Sequence, residues 1–110
     1  AASDVYKRQT ILKPGMTITN EPGIYRSGQY GIRTENTMLI VPGKETEFGI
    51  FYKFEQLTLC PISKDPIIKE MLSHEEILWL NNYHATVYEK LSPYLTNEEN
   101  TWLKTMTYPI

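Results

Sequence analysis

Two carboxylates stand out by their surroundings. Glu21 follows a short β-prone run, Met16 to Thr19, and sits directly before Pro22-Gly23. Glu35 falls inside Gly31 to Val41, a run otherwise rich in apolar and β-branched residues that reads as one strand. A charge buried there without a partner is costly, so Glu35 is expected to be exposed, ion-paired or bound to a cation. Arg33 shares its strand parity two residues away and offers a plain ion pair. Carboxylates are also hard oxygen donors that suit divalent ions. Two of them do not define a metal site by themselves, so both readings stand at this point.

Other reactive side chains read as structural. His74 lies in a helix-start motif and is expected to face solvent. His84 falls on an apolar helical face, where a hydrogen-bonded histidine is the ordinary case. Cys60 is the single cysteine and reads as a small buried thiol. It can form no internal disulfide, which fits a reducing, cytoplasmic compartment. Glu75, Glu76, Glu98 and Glu99 read as helix starts. Trp79, Tyr83 and Trp102 read as packing residues, with an interface role as the alternative.

The elements that must position these residues fall in two halves. Residues 10–54 are β-rich. Lys13-Pro14-Gly15 marks a turn, Glu21-Pro22-Gly23 a break, and Pro42-Gly43 the end of the return strand. Phe48 to Leu59 is a further extended stretch. Residues 63–110 are helical. Asp65-Pro66 can open a short helix with proline in its first turn. Ser73 with Glu76, and Thr96 with Glu99, fit capping boxes. Ile77, Leu80, His84, Val87 and Leu91 recur at spacings of three and four, one face of a helix that Pro93 ends. The fold class is therefore α+β.

The composition is that of an ordinary globular chain: 110 residues, 41% apolar and 22% charged. A net charge of −2 with no basic cluster argues against nucleic acid and anionic membranes as partners. No apolar run approaches the roughly 20 residues that span a bilayer. Ala1 to Val5 lacks the pattern of a secretory signal.

The words around the two carboxylates carry a resemblance. Leu12-Lys13-Pro14-Gly15-Met16-Thr17-Ile18-Thr19-Asn20-Glu21-Pro22-Gly23-Ile24-Tyr25 resembles the late active-site segment of the pita-bread metallopeptidases, a group that includes aminopeptidase P, prolidase and methionine aminopeptidase. Gly31-Ile32-Arg33-Thr34-Glu35-Asn36 is similar to their final ligand strand. Phe54 to Ile62, Glu75 to His84, Trp102-Leu103 and Pro109-Ile110 resemble the C-terminal extension of the long form of aminopeptidase P. The resemblance covers about residues 10–110.

It implies a dinuclear site, with Mn²⁺ as the expected metal. Glu21 would bind one ion, Glu35 would bridge both, and Arg33 and Tyr25 would support them. The implied reaction is hydrolysis of the bond between an N-terminal residue and a following proline. The implied partners are the rest of the catalytic domain, a peptide with proline second, and a second copy in a homodimer. Residues 10–47 would be the closing strands of the catalytic domain and 48–110 the mostly helical extension. Residues 1–9 do not fit what precedes these words and are expected to be an unrelated leader. Two Asp ligands, a His ligand and the catalytic histidines are missing from the pattern. The chain is thus expected to be an inactive fragment of an enzyme. The rival expectations are a metal-free pita-bread scaffold and a stand-alone interaction or dimerisation module.

Overall fold

The structure, a computed structural model, describes residues 10–110; the expected leader at 1–9 lies outside them. The chain divides into two compact units, one ending at Thr58 and the other spanning Leu59–Ile110.

Among the described residues the first unit holds five strands: β1 Thr17–Asn20, β2 Gly23–Arg26, β3 Tyr30–Arg33, β4 Asn36–Thr46 and β5 Gly49–Gln56. They form an antiparallel three-stranded sheet, ordered β1-β4-β5, and the two-stranded ribbon β2-β3. The turn before β1 follows from Pro14-Gly15. Proline sets φ at the second turn position, and Gly15 takes φ +90° at the third, where a side chain would be strained. Met16 N–H donates to Lys13 O at 3.1 Å, closing that turn. Gly28, with φ +69°, makes the same allowance in the loop between β2 and β3.

Two expectations are corrected here. The strand expected over 31–41 is cut in two, because β3 ends at Arg33 and β4 begins at Asn36. Pro22 faces this gap and has no N–H to give to the ladder; Thr34 N–H to Pro22 O, at 3.2 Å, bridges it. Glu35 therefore lies between strands rather than within one. Conversely, Pro42-Gly43 does not end β4. β1 pairs with β4 over residues 36–39, so among the described residues the cross-strand partner near Pro42 is β5. The register shifts between Pro42 and Glu45, a bulge of the kind that tolerates proline. Residues 49–56, at the start of the expected extension, thus pair as β5 with β4.

On β4 one parity is buried: Asn36, Met38 and Ile40. The Asn36 amide donates to Gln56 Oε1 at 3.1 Å, and Thr37 N–H donates to Thr58 Oγ1 at 2.8 Å. β5 is exposed along nearly its whole length.

The second unit is α1 His74–Leu91 and α2 Asn97–Met106, with an extended strap before them. Both capping boxes form. Glu76 N–H donates to Ser73 Oγ while Ser73 N–H donates to Glu76 Oε2, and Thr96 and Glu99 repeat the exchange. These bonds hold the Glu99 carboxyl below its usual range. Tyr83, Val87 and Leu103 form the core, flanked by Leu59, Ile62, Tyr88, Leu91 and Leu95. Asp65-Pro66 makes a single turn instead of opening a helix, and a separate 3-10 turn follows at Lys69–Met71. The residue before a proline disfavours the helical region.

The strap is tied to the helices by polar groups. Tyr83 Oη donates to Cys60 O at 2.8 Å, and Ile62 N–H donates to His84 Nε2 at 3.0 Å. Lys64 Nζ donates to Thr105 O and Tyr108 O near the end of α2, where a cation suits the helix dipole. His84 is fully buried and His74 exposed. Cys60 is exposed, not buried as expected. Its backbone is the part engaged by Tyr83.

Candidate functional site

Glu21 and Glu35 lie in the gap between two ladders. In the β1–β4 ladder Asn20 faces Asn36; in the β2–β3 ladder Gly23 faces Arg33. The register is the same on both sides of the gap, and continuing it sets Glu21 against Glu35. Directly opposed residues in an antiparallel pair share a face, with Cβ atoms about 4.5–5.5 Å apart.

Side-chain contacts support that face independently. Residues two apart on a strand point the same way. Arg33 Nε lies 3.1 Å from Glu35 Oε2, and Thr19 Oγ1 donates to Glu21 Oε1 at 3.3 Å. Tyr25 lies opposite Gly31, and its ring covers both Gly31 and Gly23. Glu21, Tyr25, Arg33 and Glu35 therefore share one face, the two glycines among them. Pro22, Ile24, Tyr30, Ile32 and Thr34 have the opposite parity and, with Gly23, line a mostly apolar hollow of about 450 Å³.

The Arg33–Glu35 pair is about half exposed, at 52% and 40%. Such pairs contribute only about 0–1 kcal/mol, so stability alone does not call for Glu35. Among the described residues no three His, Cys, Asp or Glu side chains gather as a metal site. Two opposed carboxylates fit a share of a divalent-metal site, not a whole one. Gly31 and Gly23 belong to this face, whereas sequence reading gave them only turn and break roles. The available signal was their parity with Tyr25 once the hairpin is paired.

Residues 50–110, more than half of the chain, match the C-terminal region of peptidase M24. The chain belongs to metallopeptidase family M24. A second match, to the metallopeptidase family M24 model itself, covers residues 2–42 and so includes most of the stretch read as a leader. Among M24 relatives, a probable Xaa-Pro aminopeptidase P of Coprinopsis cinerea is 44% identical over 106 residues, covering 92% of this chain and 17% of that protein. Aminopeptidase P1 of Arabidopsis thaliana is 40% identical, covering 94% and 16%. The crystal structure of X-prolyl aminopeptidase from Caenorhabditis elegans, a cytosolic enzyme with a di-nuclear active site, superposes with a TM-score of 0.81 at 36% identity. It is matched over 90% of this chain and 17% of its own. The chain thus spans about a sixth of the length of the curated relatives it matches. Its mixed α+β structure resembles that of the X-prolyl aminopeptidase, and the M24 family is that of the pita-bread fold. No helix is long and apolar enough to cross a membrane among the described residues.

Proposed function

We propose that this chain supplies one wall of the active site of a longer, cytoplasmic Xaa-Pro aminopeptidase. Residues 10–47 would close the catalytic domain and 48–110 form its extension. Glu21 and Glu35 would hold two divalent ions, with Mn²⁺ as the expected metal, Glu21 on one ion and Glu35 between both. Bound metals would lower the pKa of a shared water and polarise the scissile carbonyl.

The chain's own residues do the positioning. Arg33 steers the Glu35 carboxylate through its contact at 3.1 Å, and Thr19 orients Glu21. Tyr25 presents its hydroxyl along the same face. Ligand orientation of this kind sets metal affinity. The substrate is a peptide with proline second, and the remaining metal ligands and catalytic histidines come from the rest of the catalytic domain. What supports the reading is the common register of the two ladders, which, continued across the gap between them, sets Glu21 against Glu35.

The test is an Xaa-Pro dipeptide assay with added Mn²⁺ on the 110-residue chain and on a full-length protein containing it. The full-length protein turns over and Glu35→Ala abolishes it; the chain alone is inactive. Metal-dependent turnover by the chain alone, lost in Glu35→Ala, would overturn the reading of it as a partial site.

A further inference from the structure

We infer that Gly31 is a positioning residue. By leaving its side-chain space empty, it lets the Tyr25 ring lie down and aim its hydroxyl along the carboxylate face. This rests on the function proposed above and deepens it.

A Cβ added to Gly31 would fall 2.7 Å from Tyr25 Cδ1 and 3.2 Å from Cε1. Real Cβ atoms do not approach so closely, so the ring would have to move. The next nearest atom, Ile24 O, is 3.8 Å away and presents no obstacle. Gly31 does not have a positive φ, unlike Gly15, Gly28 and Gly49. Backbone conformation therefore does not call for glycine at 31; the ring does.

The direction of the ring gives the absence of a side chain its consequence. Its Cδ1 edge rests on Gly31, while its hydroxyl end lies over Gly23, where an added Cβ would be 2.6 Å from Tyr25 Oη. The ring thus runs from Tyr25 back toward Gly23, the residue two positions from Glu21 on the same face. Gly23 is a less clean case, because Ile32 O also lies 2.9 Å from its added Cβ. With alanine at 31, the ring must lift off the ribbon, and its hydroxyl leaves the line toward the carboxylates. Tyr25 is 64% exposed, so the ring has room to swing away. The ribbon is therefore expected to survive the substitution.

Two measurements test this. In the 110-residue chain, the Gly31 Hα protons face the Cδ1–Cε1 edge of the Tyr25 ring, and its ring current displaces their NMR shifts from ordinary glycine positions. Tyr25→Leu returns them to ordinary glycine positions. Gly31 shifts unchanged by Tyr25→Leu would overturn the cradle. In the full-length protein, Gly31→Ala lowers kcat about 10–100-fold, the usual loss for an outer-shell support. In a Tyr25→Ala background the same substitution changes kcat by less than about twofold, because the ring it displaces is gone. An equal loss in both backgrounds would mark Gly31 as merely structural and refute its positioning role. Glu35→Gln is the separate control: full activity in that variant defeats the metal-site reading, whereas the NMR result is independent of it.

Discussion

At the residue scale, the polar face asks different things of its members. Glu35 would offer a charge between two cations, and nothing neutral replaces that. Tyr25 would offer one hydroxyl from the outer shell. In the full-length protein, Glu35→Gln is expected to lower kcat by well over about 100-fold, and Tyr25→Phe by about 10–100-fold at most. Steady-state kinetics at saturating Mn²⁺ separates the two; equal losses would count against the assigned roles. Glu21, Tyr25, Arg33 and Glu35 could be singled out from sequence because the words that carry them are local. Their shared face could not. Gly31 to Val41 read as one strand, and nothing local said that it would be cut beside Pro22, at Thr34 and Glu35. Gly31 was hidden for a related reason, since its meaning depends on a ring across the ribbon. Cys60 went wrong in the same way. Its backbone is held by Tyr83, 23 residues on, a contact that no local word announces.

At the element scale, the helices were legible where their signals are short-range: both capping boxes and the apolar face of α1. The strap over α1 was not, because its bonds join distant residues. His84 is the buried knot of that strap. Burial, and then the charge of Lys64, push its pKa below the usual value. Nε2 accepts from Ile62 N–H, so the neutral ring carries its proton on Nδ1, which is buried without a partner. Above about pH 6.5 the imidazole is mostly neutral in folded and unfolded chains alike. As pH falls through 6.5 the unfolded chain takes up the proton first, so stability is lost downward from there toward the folded pKa. Glu99, held below its usual range, adds its own loss only in more acidic solution. Both tryptophans, Trp79 and Trp102, lie in α1 and α2, so their fluorescence reports on this unit. The urea midpoint read by that fluorescence in the 110-residue chain is expected to be lower at pH 5.5 than at pH 7.5. In His84→Gln the drop is expected to shrink. An undiminished drop would exclude His84 as its source.

At the scale of the whole molecule, each unit exposes large apolar side chains beyond the needs of a self-sufficient domain. In the first, Phe48, Ile50, Phe51 and Phe54 are all more than half exposed on or beside β5. In the second, Tyr94, Trp102 and Tyr108 are exposed, and Trp79 stacks on Tyr83 with one side open to solvent. Large apolar side chains left this exposed suit contacts with other protein. The chain spans about a sixth of its relatives' length, so the remaining catalytic domain is one natural cover. A second copy is the other, and aromatics such as Trp and Tyr are enriched in interface cores. We propose that residues 48–110 use both, the first-unit surface within the protomer and the helical aromatics in a homodimer. Sedimentation of the full-length protein with and without residues 63–110 tests the second half of that division. The intact protein is expected to be a dimer and the truncated one a monomer. Because truncation also removes packing within the chain, Trp102→Arg provides a gentler arm. Trp102 is 58% exposed and outside the Tyr83–Val87–Leu103 core, so the unit should keep its fold. A dimer that survives both changes, with unaltered far-UV circular dichroism in Trp102→Arg, would remove the helical face from assembly.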